Sequence, residues 1–393
     1  MYIYADNAST TIPSENVISE MSRVMRDVYG NPSSIHSAGE KALDELERAR
    51  ELIAEALRCE KNEIVFTSGG SESDNQAILS SAYIGNKHGK KHIISTVIEH
   101  HAVLNTLNSL KEYGYDITLV GVDENGIVNS AEIERAIRDD TALVSVMYAN
   151  NEIGTIQPIE EIGDICRKHG VKFHTDAVQA FAHIPISLKN VDMLSVSAHK
   201  FHGPRGVGFL YVNKNTELVP LINGGGQEKG RRAGTENLPG IVGMAEAVRE
   251  SMENLEEKNK SIIQKRDRII SELKKIPHSV LNGDEKRRLP GNINMCFEGI
   301  DGEALILMLD LHGIQASSGS ACNSGSLDPS GVLLALGREP EIARGSLRLS
   351  LGDDLNDDGA EYIIKTVTET VEYLRRKSPL WQDKINGKRS FLL

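Results

Sequence analysis

Short runs of apolar and β-branched residues alternate with helical patterns through the first two thirds of the 393-residue chain. Seven of these runs predict strands, at residues 63–68, 92–98, 117–122, 142–148, 171–176, 193–197 and 207–212. Between them, leucine and isoleucine recur at helical spacing, as in residues 43–57 and 104–110. Such alternation is typical of an α/β fold in which helices cover a largely parallel sheet.

The pattern changes after Pro239, where a helical run dense in Glu, Lys and Arg continues to about residue 276. We interpret this run as a connector between two domains. The remainder mixes strand-like and helical segments, which predicts a smaller α+β domain; the segments are residues 293–297 and 347–351 (strands) and 303–311 and 361–374 (helices). The tail after Pro379 is predicted either to be mobile or to dock on a partner.

Composition excludes several classes of protein. The chain carries 56 acidic against 44 basic side chains, a formal charge of -12, which argues against direct nucleic-acid binding. No stretch reaches the roughly 18 apolar residues of a membrane helix, and the start lacks a signal peptide, so we expect a cytoplasmic protein. The four cysteines, Cys59, Cys166, Cys296 and Cys322, form no C-x-x-C pair, and neither a metal site nor a disulfide framework is predicted.

The most informative segment surrounds Lys200, which leaves a predicted buried strand and enters a glycine-rich turn. Open α/β sheets bind their ligands at this position, beyond the carboxyl ends of the strands. A desolvated lysine amine loses its proton more easily and can bond to a carbonyl carbon. A lone lysine in a polar turn is usually a surface residue. The residues at the neighbouring strand ends therefore have to show whether Lys200 belongs to a binding site.

Two further strand ends supply complementary groups. Asp176 follows an apolar run and suits the ring N–H of a pyridoxal cofactor, with Gln179 able to reach the ring oxygen, although a helix N-cap is the alternative role for this aspartate. Residues 67–75 place glycine and serine ahead of a helix, where backbone N–H groups can hold a phosphate. Many turns share that composition, so this loop alone is weak support. Together the three strand ends predict a pyridoxal 5'-phosphate site.

Nine short motifs follow one another in a fixed order: DNASTT (6–11), GNPSSIH (30–36), SGGSESDN (68–75), EH (99–100), NNEIG (150–154), DAVQ (176–179), SAHKFHGPRGVG (197–208), RAGT (232–235) and GSAC (319–322). In these motifs the chain, to about Ser378, resembles the cysteine desulfurases of iron–sulfur cluster assembly and nitrogen fixation. The resemblance implies pyridoxal-phosphate fold type I, with a mostly parallel, seven-stranded mixed sheet. It also implies a large cofactor domain (residues 14–255), a small domain (1–13 and 256–378), a tail (379–393) and a homodimer.

The resemblance assigns a role to each matching residue. Lys200 would bond to the cofactor and later move protons, and His100 would stack on its ring as an acid–base group. The remaining cofactor contacts implied are Gly70, Ser71, Asn151, Asp176, Gln179, Ser197, His199 and, toward the partner subunit's cofactor, Thr235. Asn151 and Asn7 would also lie near the substrate.

The substrate carboxylate needs a cationic partner, for which Arg348 and Arg344 compete. Residues four apart on a strand share one face, so periodicity does not separate them. We favour Arg348, because a buried arginine that faces the site requires an anionic partner.

Cys322 distinguishes a desulfurase from an aminotransferase. It lies in a run of small residues (317–326), which predicts an accessible thiol, whereas the other three cysteines are predicted to be packing residues. The implied reaction converts L-cysteine to L-alanine and leaves the sulfur on Cys322 as a persulfide. The persulfide would pass to an acceptor protein, such as an iron–sulfur scaffold or a thiolation relay.

Two other functions fit parts of the pattern. A selenocysteine lyase would use the same cofactor residues, but selenium can leave without the Cys322 nucleophile. A noncatalytic platform for cluster assembly would need none of Lys200, Asp176 and Cys322. The joint presence of these three residues favours the desulfurase.

Overall fold

The computed structural model describes residues 1–318 and 329–393. The strands are β1 Ile3–Tyr4, β2 Ile64–Thr67, β3 His92–Thr96, β4 Asp116–Val120, β5 Thr141–Ser145, β6 Lys172–Asp176, β7 Met193–Ser197, β8 Gly208–Val212, β9 Ser279–Leu281, β10 Asn292–Phe297, β11 Ile314–Gln315 and β12 Ser346–Ser350. The α-helices are α1 Glu15–Asp27, α2 Ser37–Leu57, α3 Gly70–Lys87, α4 His101–Glu112, α5 Ser130–Ala136, α6 Ile159–His169, α7 Leu238–Met252, α8 Leu255–Leu273, α9 Gly302–Leu311, α10 Gly331–Ala335, α11 Pro340–Arg344, α12 Asp357–Lys377 and α13 Pro379–Ile385. None of the helices in the described ranges has the length and apolarity to cross a membrane.

A seven-stranded sheet forms the larger part of the fold, in the order β2-β8-β7-β6-β5-β3-β4. The strands from β7 to β4 pair in parallel, and β8 runs antiparallel to both of its neighbours. Its strands are the seven that the sequence predicts, so the predicted α/β class and mostly parallel mixed sheet are confirmed. Alternate side chains enter cores on opposite faces: Ile64 and Phe66 belong to one apolar cluster and Val65 to the other.

A smaller part contains an antiparallel sheet in the order β12-β10-β9 and the parallel pair β1-β11. Helices α8, α9 and α12 pack against it around a separate apolar cluster. The predicted connector is two helices rather than one, because Asn254 adopts a left-handed conformation (φ 58°) between α7 and α8. The apolar residues of α7 belong to the core of the large sheet and those of α8 to the smaller core. This division is consistent with the predicted domain limits, which stay a prediction.

The tail packs on its own chain, which corrects the expectation of a mobile segment. In α13, the ammonium group of Lys384 lies 2.5 Å from Glu298 and 2.7 Å from Glu341. The side chains of Lys384 and Glu298 are 2% and 0% exposed. Glu298 also accepts the backbone N–H groups of Leu392 and Leu393. The last residues therefore supply the partners of a carboxylate that is buried in the smaller core.

We expect the Lys384→Ala substitution to lower the free energy of unfolding by about 3 kcal/mol, because it leaves Glu298 buried without its cation. Urea denaturation of the two proteins measures this difference. Lys388→Ala is the matched control: its side chain is 70% exposed and its ammonium lies 3.3 Å from Asp383, so we expect a loss below about 0.5 kcal/mol. Equal stability of the Lys384 variant and the unmodified protein would show that Lys384 does not stabilise the buried carboxylate of Glu298.

Candidate active site

A cavity of about 360 Å³ lies where the parallel strands of the large sheet end. Asp176 and Ser197 are the last residues of β6 and β7, and His100 follows β3. Because parallel strands point their carboxyl ends to one edge, side chains from distant parts of the chain meet there. The residues that line the cavity are Ala8, Ser9, Gly70, Ser71, Asp74, His100, Met147, Ala149, Asn151, Asp176, Val178, Gln179, Ser197, His199, Lys200 and Arg348.

The first turn of α3 forms one wall. Its N-cap, Gly69, has a φ of 149° and no side chain to cap the helix, so the first backbone N–H groups of α3 receive no side-chain cap. A β-carbon on Gly70 would stand 2.6 Å from the Val178 side chain, so the close approach of these segments requires glycine. Uncapped N–H groups at a helix start bind anions, and Ser71 adds a hydroxyl.

Lys200 ends a single 3₁₀ turn, Ala198–Lys200, directly after β7. Its Nζ donates hydrogen bonds to the carbonyl oxygens of Ala8 (2.8 Å) and Ser9 (2.7 Å). Gln179 donates to the same Ala8 oxygen at 2.8 Å. The segment of residues 6–11 thus lies across the cavity and holds the amine in place.

His100 and Asp176 face Lys200 across the cavity. His100 is the N-cap of α4, and its Nδ1 accepts the N–H of Ala102 at 3.1 Å. Burial lowers the pKa of His100; the charge of Asp176 raises it and that of Lys200 lowers it further. The imidazole is therefore neutral near pH 7, with its proton on Nε2.

Asp176 accepts the backbone N–H of Val178 on Oδ1 at 2.9 Å. Burial raises the pKa of this carboxyl group, whereas His100 and Lys200 lower it. A 5% exposed carboxylate at the cavity wall suits a cationic N–H group of a ligand.

Arg348 reaches the cavity from β12, which belongs to the smaller part of the fold. Its Nη2 donates to Asp6 (2.9 Å) and to the Ser9 hydroxyl (2.7 Å), and Nη1 donates to the carbonyl of Asn151 (3.0 Å). Its buried Nε has no hydrogen-bond partner among the described residues. Arg348 lines the cavity, and two of its five guanidinium N–H groups, on Nε and on Nη1, have no acceptor among the described residues.

Arg344, the competing candidate, is exposed and lies outside the cavity lining. The prediction that both arginines lie on one strand is wrong, because Arg344 is the last residue of α11 and β12 begins only at Ser346. The two arginines therefore do not share one strand face.

The cavity contains most of the predicted site residues but not all. Gly70, Ser71, Asn151, Gln179, Ser197 and His199 line it together with Lys200, His100, Asp176 and Arg348. Asn7 lies outside, and its amide donates to the carbonyls of Tyr4 and Ser350, which argues against the predicted substrate contact. Thr235 is exposed away from the cavity. Cys322 lies outside the described residues.

The cavity fits the predicted pyridoxal 5'-phosphate. The uncapped start of α3 suits the phosphate, the carboxylate of Asp176 suits a protonated ring nitrogen, and the amine of Lys200 suits an aldehyde carbon. The start of α3 follows β2, Asp176 ends β6 and Lys200 follows β7, as the sequence predicts.

Glu99 and Asp74 are two buried carboxylates to which the sequence analysis gave no role. Glu99 accepts the Thr96 hydroxyl at 2.6 Å and the Met147 N–H at 3.0 Å, while its Oε2 has no partner in the described chain. Burial raises the pKa of Glu99 to about 8, with a smaller contribution from the charge of Asp176. Both residues belong to short motifs of the sequence, Glu99 to EH (99–100) and Asp74 to SGGSESDN (68–75). Membership in a motif does not show that a side chain is buried.

The raised pKa of Glu99 makes stability depend on pH. The folded state keeps this proton up to about pH 8, whereas the unfolded chain releases it near pH 4.3, so this contribution to stability is lost as the pH rises between these values. We expect Glu99→Gln to make the decline of unfolding free energy shallower, by at most about 1.4 kcal/mol per pH unit. Urea denaturation of the cofactor-free protein across this window measures the slope. The exposed Glu217→Gln control should retain the original slope, and an unchanged slope in the Glu99 variant would refute the prediction.

Comparisons with known proteins agree with this geometry. The model of the family described as aminotransferase class-V matches residues 3–362. A cysteine desulfurase IscS of Clostridium botulinum is 49% identical over 391 residues, covering 98% of each chain. A solved NifS-like protein has a TM-score of 0.89 at 39% identity and covers 95% of this chain and 100% of its own. A solved structure described as SspA in complex with cysteine has a TM-score of 0.77 at 38% identity and covers 89% of this chain and 98% of its own. The chain therefore belongs to the cysteine desulfurase family of class-V aminotransferases, as its motifs predict.

Proposed function

We propose that this protein is a pyridoxal-phosphate-dependent cysteine desulfurase, which converts L-cysteine to L-alanine and transfers the sulfur to an acceptor. The observation that carries the proposal is one cavity that combines the amine of Lys200, the carboxylate of Asp176 and the guanidinium of Arg348. The names of the similar proteins support the same reaction, and one of those structures is described as a complex with cysteine.

The cofactor, when bound, supplies an aldehyde that bonds to the substrate amine and a ring that withdraws electrons from Cα. In this chain, Asp176 would hold the proton of the ring nitrogen. The first-turn N–H groups of α3 and the hydroxyls of Ser71 and Ser197 would hold the phosphate. His199, whose pKa burial lowers to about 4, would contact the phosphate as a neutral imidazole.

Lys200 and His100 would move the protons. The Lys200 amine would take the proton from Cα of cysteine and later return one, since it stands at the end of β7 beside the cavity. His100 would carry a proton on Nε2, which is free to serve the leaving sulfur because Nδ1 is engaged with Ala102.

Arg348 would bind the carboxylate of the substrate through guanidinium N–H groups that have no acceptor among the described residues. Its two terminal nitrogens are already fixed by Asp6, Ser9 and Asn151, so the guanidinium is oriented before the substrate enters. A preoriented charged donor loses little side-chain entropy on binding. The substrate carboxylate would then lie on the side of the cavity that the smaller part of the fold provides.

Cys322 would accept the sulfur. Its thiolate attacks the substrate sulfur, the C–S bond breaks and an S–S bond forms, so cysteine plus enzyme thiol gives alanine plus enzyme persulfide. The atoms and electrons balance without an external oxidant. The persulfide would then pass to an acceptor protein, for which an iron–sulfur scaffold is our proposal.

We further propose a homodimer that works in the cytoplasm. Ile35 and Tyr29 are 98% and 83% exposed, as expected of apolar residues that a second subunit covers. The exposed Thr235 would reach the phosphate of the partner subunit's cofactor. The described cysteines, Cys59, Cys166 and Cys296, are free thiols, which fits a reducing compartment.

The reaction itself is directly testable. Purified protein loaded with pyridoxal phosphate should be yellow and should form alanine and a persulfide from L-cysteine, with the persulfide mapped by mass spectrometry to Cys322. Cys322→Ser should keep the colour but lose the persulfide and the turnover, because the hydroxyl does not accept sulfur. Turnover with selenocysteine alone would favour the lyase, and a protein that cannot bind the cofactor would refute the enzyme.

The carboxylate site is tested by comparing two arginines. Arg348→Lys keeps the charge but loses the planar donor set, and we expect the KM for cysteine to rise roughly 10- to 100-fold. Arg344→Lys should leave the KM within about twofold, since its side chain is exposed outside the cavity. Steady-state alanine formation measures both values. An unchanged KM in the Arg348 variant would place the carboxylate elsewhere.

A further inference from the structure

Asp74 lines the cavity but has no part in the reaction described above. It lies in the second turn of α3 and is 1% exposed. Its Oδ1 is buried and has no hydrogen-bond partner among the described residues. An ionised carboxylate in such a position would lack the donors that normally stabilise it.

The nearest basic group does not supply a positive charge. Nε2 of His174 lies 3.6 Å from Asp74 Oδ1, but the two ring nitrogens of His174 stand 2.9 Å from the hydroxyls of Ser145 and Ser195. Burial lowers the pKa of His174 to about 3, so this imidazole is neutral at pH 7. The ion pairs of the described residues give Asp74 no lysine or arginine.

The charged groups that act on Asp74 are two other carboxylates. Burial raises its pKa well above the ordinary value, the charge of Asp176 raises it further and Glu99 adds to this effect, while the Ser195 hydroxyl alone opposes. Two buried carboxylates that line one cavity and repel each other do not both ionise, so the proton stays on one of them. The Val178 N–H and the charge of Lys200 favour the ionised form of Asp176.

We propose that Asp74 is a positioning residue that remains a neutral carboxylic acid and thereby leaves Asp176 as the ionised carboxylate of the pair. The inference rests on the proposed function, in which Asp176 must be negative to hold the protonated ring nitrogen. A neutral Asp74 removes the repulsion that would otherwise shift a proton onto Asp176 and weaken that contact.

Infrared spectroscopy tests the proposal directly. Asp74 and Asp176 are the two aspartates below a tenth exposed in the described parts of the chain, so protein labelled with ¹³C at its aspartate carboxyls isolates this pair from Glu99. Loaded with pyridoxal phosphate at pH 7, the labelled protein should show the carbonyl band of one neutral aspartate. Asp74→Asn should abolish the band, and the exposed Asp164→Asn control should retain it.

Two results would overturn the proposal: no neutral aspartate band in the unmodified protein, or a band that persists in Asp74→Asn and so belongs to Asp176. If the asparagine variant does not fold, the smaller Asp74→Ser replaces it in the same comparison. Alanine formation measured on the same samples separates the two hypotheses. If the neutral aspartate band is present but no alanine forms, only the proposed desulfurase activity is refuted. If alanine forms but the band is absent, only the proposal of a neutral Asp74 is refuted.

The pH titration of the visible spectrum of the bound cofactor gives a second readout, which tests whether Asp74 carries a charge. Replacing a neutral acid by a neutral amide should leave the titration midpoint of Asp74→Asn at that of the unmodified protein. A midpoint displaced by one pH unit, a tenfold change in the equilibrium constant, would mean that Asp74 carries a charge.

Discussion

The direction of the parallel strands is the constraint on which the site depends. Strands β3, β5, β6 and β7 run the same way, so the residues that follow them meet at one edge of the sheet. His100, Asp176 and Lys200 are far apart in the chain, and the common direction of the strands brings them together. The smaller part of the fold then completes the cavity with Arg348 and with the segment of residues 6–11.

The electrostatics of the cavity follow from this convergence. Asp74, Glu99 and Asp176 are buried carboxylates that influence one another, and the nearby imidazoles are neutral. The cationic side chains of the site are Lys200, in the turn after β7, and Arg348, in β12. Arg348 is already paired with Asp6. The site therefore holds more buried acid groups than cations to match them, and protons must make up the difference.

Local patterns explain how much of this could be predicted. Strand periodicity located all seven strands of the large sheet, and the ends of those strands identified Lys200 and Asp176, because both signals are short-range. Contacts across the chain were not readable: Lys200 bonds to Ala8 and Ser9, and Arg348 pairs with Asp6. The helical state of Arg344 also escaped prediction, since its helix is only five residues long.

The segment of residues 6–11 meets its partner in the smaller part of the fold late in the synthesis of the chain. Asp6 and Arg348 are 342 residues apart, so Asp6 meets its partner only after all the residues between them have been synthesised. At about 5 to 20 residues per second this delay is roughly 20 to 70 s. The large sheet, complete by Val212, has all its strands long before then. All strands of the large sheet are therefore synthesised well before Arg348, which completes the cavity.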